Sequence, residues 1–350
     1  MTGTPPSFAD RPPPGDVLAD MLRAVRLTGA IFLKASFTEP FGILSPQRYD
    51  SSIPMAHLRH VSIFHYVATG GCTIEIAGGV RRELQAGDLV LLPFAAEHKL
   101  WRGEAELVPA SSIVNRDSRE GVWSFTHGGG GTETRFVCGF IESAEMMFAP
   151  MFHSLPEMLV DRADDEAVGS GIAATIDSLV AKVDTLTPGA EVILGRMMEL
   201  LFIELLRRYA GRLPEGSRGL LAALNDPLVG RALQLLQADP ARRWTTDDLA
   251  REAGASRTVL GERFNAVLGK PPIDYLTSWR IQLAADRLRN GRDAIARIAI
   301  DSGYESEAAF NRAFKRVTGL TPGRWREGGG DSPSLMPLQF GRSPFSGAES

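Results

Sequence analysis

The chain has 350 residues, of which 44% are hydrophobic, with a formal net charge of −4 and two cysteines. This length exceeds what one ordinary core organises, so at least two compact domains are expected. No apolar run reaches the roughly 18 residues of a membrane span, and the N-terminus lacks the pattern of a secretory signal. The composition therefore predicts a globular cytoplasmic protein with reduced thiols, because two cysteines do not form a disulfide framework.

The charge is distributed unevenly along the chain. Residues 226–326 carry 17 Lys and Arg against 12 Asp and Glu, a balance of +5, and the remainder carries −9. A basic C-terminal part is typical of a surface that meets phosphates, although many inert domains have the same balance.

Both ends of the chain are predicted to be disordered. Residues 1–15 contain five prolines, and residues 327–350 are rich in Gly, Ser and Pro. Neither segment has the apolar periodicity that would allow it to bury a hydrophobic face.

Short β-type segments follow one another from about residue 28 to residue 141. In the segment CTIEIA, Cys72, Ile74 and Ile76 fall on one face, and a Gly-Gly turn follows. Many short strands separated by glycine turns predict a small β-barrel or sandwich.

After residue 141 the apolar period becomes helical. One helix is predicted within residues 167–183. The next has an apolar face broad enough to be buried on two sides, made of Ile193, Leu194, Met197, Met198, Leu201, Phe202, Leu205 and Leu206. This face fits either an internal core or a dimer interface, and both interpretations are kept.

From Asp226 to Arg326 the pattern predicts about seven helices, none longer than twenty residues. Two segments within this region repeat one plan of a capped helix, a glycine turn and a second capped helix. In the first, Thr246 is the predicted cap of the leading helix, Gly254 makes the turn and Ser256 caps the second helix. In the second, Gly303 makes the turn and Ser306 is the cap. Each segment therefore predicts a helix-turn-helix.

A single helix is predicted between the two motifs, from about Pro272 to Asn290. Nineteen residues at about 1.5 Å each give a rod of roughly 28 Å. Such a rod can hold two recognition helices near one turn of duplex apart, about 34 Å, so one chain can enter two successive major grooves. The spacing therefore predicts DNA binding.

The chain resembles the AraC/XylS family of transcriptional regulators across this region, about 100 of its 350 residues. The resemblance rests on LAREAGASRTVLGERFNAVLGKPPIDYLTSWRIQLAADRL and on SGYESEAAFNRAFKRVTGLTPGRWR, where turn glycines, buried aromatics and the Gly-Leu-Thr-Pro exit share one register. It implies sequence-specific binding to double-stranded promoter DNA, usually as a dimer on paired half-sites and most often to activate transcription.

The resemblance also implies which side chains face the bases. These positions are Arg257, Thr258, Gly261 and Glu262 on the first recognition helix and Glu307, Ala308, Asn311 and Arg312 on the second. Arginine can pair with guanine, asparagine with adenine and glutamate with the cytosine amino group. Gly261 departs from the longer polar residues usual there and has no side chain to contact a base. Phosphate contact or simple hydration is expected for Arg263, Lys315 and Arg316.

Residues 64–101 resemble the cupin-type sensor domain that is attached to a subset of these regulators. Gly87, Asp88, Pro93 and His98 fit the second cupin motif, with Ala95 where glycine is usual. The first motif retains only His65 of the usual metal-ligand cluster.

Three candidate ligands can converge in this domain, namely His65, His98 and Cys138. A mixed imidazole and thiolate set suits tetrahedral zinc, and ordinary hydrogen-bonded histidines are the alternative. Cys72 and Cys138 are also candidate redox sensors, provided that they are exposed and have a lowered pKa, and inert buried cysteines are the alternative. A metal-dependent cupin enzyme fused to a DNA-binding tail is one rival hypothesis, but the first ligand motif is depleted, so an enzyme is not expected. The other rival is a structural adaptor that has kept the helices without using them to bind DNA.

The sequence thus predicts an α+β multidomain protein, without a required cofactor, that regulates transcription in response to an unidentified small molecule. The expected partners are promoter DNA, RNA polymerase and a second copy of the chain, and no membrane. The predicted organisation is a disordered segment at 1–15, a cupin-like β-barrel sensor at 16–145, a helical linker at 146–222 that is a possible dimerisation element, an all-α double helix-turn-helix domain at 223–326 and a disordered tail at 327–350.

Overall fold

The computed structural model describes residues 16–25, 27–45, 61–115, 123–143, 146, 148–162, 175–176, 178, 181 and 190–327. Both segments predicted to be disordered, Glu327 excepted, lie outside the described residues, as does most of the helix predicted within residues 167–183. In the part of the chain that is described, no helix is both long and apolar enough to cross a membrane.

Within the residues that the structure describes, the N-terminal half forms two β-sheets from twelve strands. The strands are β1 (Thr28–Thr38), β2 (Phe41–Ser45), β3 (Val61–Thr69), β4 (Gly71–Ile76), β5 (Arg81–Gln85), β6 (Asp88–Leu92), β7 (His98–Arg102), β8 (Val108–Pro109), β9 (Val114–Asn115), β10 (Trp123–Gly128), β11 (Glu133–Glu142) and β12 (Leu159–Arg162). One sheet has the order β12-β6-β3-β11-β1-β10-β9 and the other the order β5-β4-β7-β2-β8. The β-rich prediction is confirmed, but the two sheets are not joined into a closed barrel, because β12 and β5 each end a sheet without pairing to each other.

One hydrophobic core lies between the two sheets. It combines side chains of the seven-stranded sheet, such as Leu33 and Ile63, with side chains of the five-stranded sheet, such as Ile74 and Leu100. Cys72, Ile74 and Ile76 are all buried, as the alternation in β4 predicts.

The segment predicted as a helical linker is not helical throughout. Residues Leu159–Arg162 form β12, which pairs antiparallel with β6 and so extends the larger sheet. The predicted helical face is found further along, in α2 (Ala190–Arg212), after the short N-terminal α1 (Val17–Arg23).

Helix α2 packs against strand β1 of the larger sheet. A Cβ atom placed on Gly29 would lie 2.5 Å from the carbonyl oxygen of Gly195, so two glycines allow this close approach. Six of the eight residues predicted for the apolar face are buried, namely Leu194, Met198, Leu201, Phe202, Leu205 and Leu206. Val192, Ile193 and Leu200 remain exposed on the same helix.

The C-terminal half is helical, as predicted. Its helices are α3 (Leu220–Ala223), α4 (Pro227–Ala238), α5 (Thr246–Ala253), α6 (Arg257–Leu268), α7 (Pro272–Asn290), α8 (Ile295–Asp301), α9 (Glu307–Thr318) and α10 (Pro322–Arg326). Helix α7 has the predicted bounds, and seven helices lie between Pro227 and Arg326.

Capping side chains define the two helix-turn-helix motifs, α5–α6 and α8–α9. Ser256 accepts a hydrogen bond from the Val259 amide at 3.3 Å, and Ser306 accepts one from the Ala309 amide at 3.2 Å, so both predicted caps are confirmed. The assignment of Thr246 is wrong by one residue. Thr245 caps α5, because its extended backbone lets the hydroxyl accept from the Asp248 amide at 3.0 Å.

Helix α7 contributes side chains to two hydrophobic cores. Tyr275, Leu276 and Trp279 join the core that extends from the larger sheet to the first motif. Ile281 and Leu288 join the core of the second motif, together with residues of α8, α9 and α10. The helix is therefore a shared wall that fixes each motif to the other.

Candidate DNA-binding surface and buried sensor cluster

Helix α6 presents the side chains predicted to read DNA on its outer face. Leu260 and Phe264 are fully buried, and this leaves Arg257, Thr258 and Glu262 exposed. Gly261 is half-buried and has open space where a Cβ atom would stand.

One exposed apolar residue on this helix is absent from the predicted set. Val259 is 52% exposed although it lies between the exposed Thr258 and the buried Leu260. An exposed apolar side chain at this position can contact a thymine methyl group. The helical period of the buried residues gives the signal that would have identified it.

Helix α9 has the same division into a buried and an exposed face. Phe310, Ala313 and Phe314 are buried. Its exposed predicted residues are Glu307, Ala308, Arg312, Lys315 and Arg316.

Asn311 differs from its neighbours on α9. It is half-buried, and its Oδ1 atom is covered without a hydrogen-bond partner among the described residues. A bidentate contact with adenine needs both Oδ1 and Nδ2, so the side chain has to rotate before it can make one.

Two arginines of the first recognition helix form ion pairs within the chain. Arg263 Nε lies 2.5 Å from Asp226 Oδ2, and the Asp226 side chain is only 6% exposed. The Arg263 side chain remains 52% exposed beside this ion pair, so contact with phosphate or water stays a prediction. Arg257 pairs with Asp247 at 3.1 Å, with both side chains more than 60% exposed, so water weakens this pair and DNA can replace it.

Arg280 in the middle of α7 ties the two motifs together. Its Nε donates to the Pro240 carbonyl at 2.6 Å and its Nη2 donates to the Arg242 carbonyl at 2.8 Å, both in the loop between α4 and α5. Its guanidinium also lies 5.8 Å from the ring centroid of Tyr304, in the turn of the second motif. Burial lowers the pKa of Arg280 from its usual value. The predicted set did not include this residue, and a cation in the middle of α7, between Trp279 and Ile281, is its signal.

Replacing Arg280 by Ala is expected to weaken binding to a complete two-part DNA site about tenfold, or about 1.4 kcal/mol, because the two motifs lose their fixed disposition. Binding to a fragment that carries only one half of the site should change little. Fluorescence anisotropy with both fragments measures this, and Arg23→Ala on α1, where Arg23 is 74% exposed, is the control. Equal weakening on both fragments would contradict a role in spacing.

In the sensor half, the structure brings His65, His98 and Cys138 together between the sheets. His65 lies on β3, His98 begins β7 and Cys138 lies on β11 directly opposite His65. His65 Nδ1 is 3.0 Å from Cys138 Sγ, and His65 Nε2 is 2.9 Å from His98 Nε2. All three residues are buried.

The outer end of this cluster fixes the tautomers. His98 Nδ1 is 2.9 Å from the Ala96 carbonyl, which only accepts, so Nδ1 carries the proton and His98 Nε2 is an acceptor. His65 Nε2–H then donates to His98, and the Cys138 thiol donates to His65 Nδ1. Every polar atom is satisfied with all three side chains neutral, so the cluster forms a neutral hydrogen-bonded chain.

The pKa shifts agree with this neutral state. Burial lowers the pKa of His98 to about 4, and burial followed by the neighbouring His98 lowers that of His65 well below 6.5. Burial also raises the pKa of the Cys138 thiol far above its usual range and that of Cys72 to about 12. Both cysteines thus lack the exposure and the lowered pKa that a redox sensor needs.

The geometry does not fit one metal ion. His65 directs its two nitrogens at different partners, so His98 and Cys138 lie on opposite sides of its ring. Across the described ranges, no group of three or more His, Cys, Asp and Glu side chains is placed to hold a metal ion. His57 and His60 lie outside these ranges.

The alanine that replaces the usual glycine of the second cupin motif adopts a backbone conformation typical of glycine. Ala95 has a φ of 47°, in the left-handed region where glycine is favoured. The turn that leads into β7 therefore keeps the conformation that the usual glycine supplies, and it places the Ala96 carbonyl against His98.

Several contacts among the described residues connect the sensor half to the DNA-binding half, in addition to the shared hydrophobic core. Ser154 Oγ accepts from the Leu220 amide at 2.7 Å, and Asn225 Nδ2 donates to the Ala210 carbonyl of α2 at 2.8 Å. Phe148 packs into the core of the second motif, with its ring centroid 5.5 Å from that of Trp325.

Comparison with known proteins agrees with this division of the chain. A cupin family model matches residues 16–211, more than half of the chain, and a helix-turn-helix domain model matches residues 249–328. A protein of Streptomyces lividans described as an AraC-like transcription regulator is 34% identical over 270 residues, which cover 75% of this chain and 86% of that protein. This chain belongs to the AraC-like transcription regulators.

Other similar proteins are more distant. The HTH-type transcriptional regulator AlkR of Acinetobacter baylyi is 26% identical over 275 residues, 76% of this chain and 87% of AlkR. Among solved structures, the match to ToxT from Vibrio cholerae covers 87% of this chain and 98% of the ToxT chain, at 12% sequence identity and a TM-score of 0.35. The predicted family is confirmed by the first comparison and by the two domain models.

As an AraC-like regulator, the chain binds DNA through its helix-turn-helix domain and carries an N-terminal cupin domain for a ligand. The relatives are regulators, which points away from an enzyme. The exposed side chains on α6 and α9 are the candidates for this regulator's contacts with DNA.

Replacing Arg312 by Ala is expected to cost about 1 to 3 kcal/mol on the specific site and less on unrelated sequences, because a lost base contact reduces discrimination. Titrations on specific and scrambled duplexes measure both losses. Lys315→Ala, on the same exposed face, should weaken the two duplexes equally. An equal loss on both duplexes for Arg312→Ala would make Arg312 a phosphate contact instead.

Proposed function

We propose that this regulator is an effector-responsive activator that places both recognition helices of one chain in successive major grooves of promoter DNA. The observation that carries the proposal is the fixed unit formed by the two motifs around α7. The shared wall of α7 and the Arg280 contacts oppose independent rotation of either motif.

The proposal includes two macromolecular partners besides DNA. A second copy of the chain is proposed to pack on α2, where Val192, Ile193 and Leu200 leave an exposed apolar stripe beside the buried face. RNA polymerase is the proposed target of the DNA-bound dimer, as activation requires.

The route from effector to DNA is proposed to run through α2. The last turns of α2 accept a hydrogen bond from Asn225, and the next residue, Asp226, caps α4 through the amides of Leu228 and Val229. Asp226 also holds Arg263 on the first recognition helix. A shift of α2 therefore changes the balance between two arrangements of α6, which is how a ligand alters affinity for DNA at a distance.

Footprinting on fragments of the source genome tests the proposal. We expect protection of two adjacent half-sites one helical turn apart, and a loss of affinity of about 10³-fold or more between 50 and 200 mM salt if six or more phosphates are contacted. Protection of one half-site only, with no loss when α9 is mutated, would contradict the two-part interface. A flat salt response would contradict binding through the basic face.

A further inference from the structure

A cavity of about 260 Å³ lies beside the core that the two sheets enclose. In the described part of the chain, it is found where one edge of the larger sheet and one edge of the smaller sheet are not paired to each other. Strand β12 ends one sheet and β5 ends the other, and the last turns of α2 cover the gap between them. Its lining is Val80, Arg82, Pro156, Met158, Val160 and Tyr209, together with Leu159, Asp161 and Arg212.

The charge of this edge cavity is positive. Two arginines, Arg82 and Arg212, line it against one carboxylate, that of Asp161. Asp161 pairs with Arg212 and also with a cation behind the wall, because its Oδ2 lies 3.1 Å from Arg208 Nε. Arg82 donates to the carbonyl of Arg81 at 2.8 Å, and no carboxylate of the described residues pairs with it. The Arg82 guanidinium thus keeps donors for a ligand.

The remainder of the lining is apolar. Val80, Pro156, Met158 and Val160 present hydrocarbon, and the half-buried Tyr209 adds an aromatic ring. A concave site with apolar walls and a few cationic groups at one side selects a ligand with an apolar body and one anionic end. A planar carboxylate matches the paired donors of a guanidinium.

We propose that the edge cavity binds a small organic carboxylate with an apolar body, and that Arg82 holds its carboxylate beside the ion pair of Arg212 with Asp161. This inference names the ligand class of the effector response and rests on the proposed function for its regulatory meaning. The position supports that meaning, since Tyr209 and Arg212 flank Ala210, the residue whose carbonyl receives the hydrogen bond from Asn225.

Calorimetry on the full chain without DNA tests the binding step. The probes are 4-phenylbutyrate, octanoate and indole-3-acetate, with 4-phenylbutanol and 4-phenylbutylamine as uncharged and cationic counterparts. We expect at least one acid to bind, at least tenfold more tightly than the alcohol or the amine. No binding of any acid at millimolar concentration, or equal binding of acid and alcohol, would overturn the proposal.

Variants locate the site. Arg82→Gln is expected to weaken binding of the acid at least tenfold, and Val80→Glu, which adds a like charge at a position 41% exposed, should do the same. Arg81→Gln is the matched control, because Arg81 is the adjacent residue of β5 and contacts Trp101 instead of the cavity. An unchanged affinity in Arg82→Gln and Val80→Glu would overturn the assignment.

DNA binding in the absence of the acids separates this inference from the proposed function. Arg82→Gln and the unmodified chain should bind promoter fragments equally when no acid is present. If the chain binds promoter DNA but no acid, the edge cavity fails as the ligand site while the proposed function stands. If it binds acids but no DNA, the proposed function fails while the cavity assignment stands.

Discussion

Replacing Asp161 by Leu is expected to destabilise the chain by about 3 to 5 kcal/mol, because it leaves a buried cation without its carboxylate. The Arg208 side chain is 2% exposed and that of Asp161 is 4% exposed, and Arg208 Nε lies 3.1 Å from Asp161 Oδ2. Asp161 also receives Arg212. One carboxylate on β12 thus fixes two points of α2 to the edge of the larger sheet.

Urea unfolding followed by circular dichroism measures the loss. The double variant Asp161→Leu with Arg208→Leu removes both buried charges, so it should recover most of the stability that the single change loses. Arg196→Ala on the same helix, whose ion pair with Glu199 leaves Arg196 72% exposed, is the control and should cost less than about 1 kcal/mol. A double variant as unstable as the single one would show that the loss comes from packing and not from charge.

Lowering the pH from 7.5 to 4.5 is expected to remove about 3 kcal/mol of stability through His98 alone. In the folded chain burial lowers the pKa of His98 to about 4, whereas in the unfolded chain a histidine titrates near 6.5. Below pH 6.5 the unfolded chain therefore binds a proton that the folded chain does not. The stabilisation is complete above about pH 6.5 and is lost as the pH falls towards 4, and His65, whose pKa is lowered too, adds to the loss.

The contribution of the histidines is isolated by comparing variants across the same pH range. His98→Gln should flatten the dependence of unfolding free energy on pH by about 3 kcal/mol relative to the unmodified chain. If His98→Gln lost the same stability between pH 7.5 and 4.5 as the unmodified chain, the neutral buried chain would be refuted.

The helical half was predictable because its signals are local. The bounds of α7 follow from Pro271-Pro272 at one end and Gly291 at the other, and Gly254 has the positive φ that ends α5. The cap of α5 was misplaced because Thr245 and Thr246 are chemically identical, and only the backbone angles decide which hydroxyl reaches the Asp248 amide. A single sequence does not contain that information.

The sheets were less predictable because pairing between strands is not local. Short β-type segments were predicted between about residues 28 and 141, whereas β12 lies beyond this range, is four residues long and gains its order from pairing with β6. The same limit applies to the sites. The convergence of His65 and Cys138 was predicted, and the strand register produces it. The hydrogen bonds of Arg280 were not predicted, because their acceptor carbonyls lie 38 and 40 residues earlier in the chain and only the tertiary fold brings them close.

Phe148 shows that the DNA-binding half does not complete its own hydrophobic core. Its ring is 7% exposed and meets Trp325 edge-on, among the buried side chains of α7, α8 and α9. The side chain of Phe148, which follows β11 of the sensor half, thus fills part of the hydrophobic core around Trp325 on α10. A truncated protein that starts at the first helix-turn-helix would lack Phe148 and would expose this part of the core to water. Separating the two halves at their boundary therefore removes a residue on which the DNA-binding half depends.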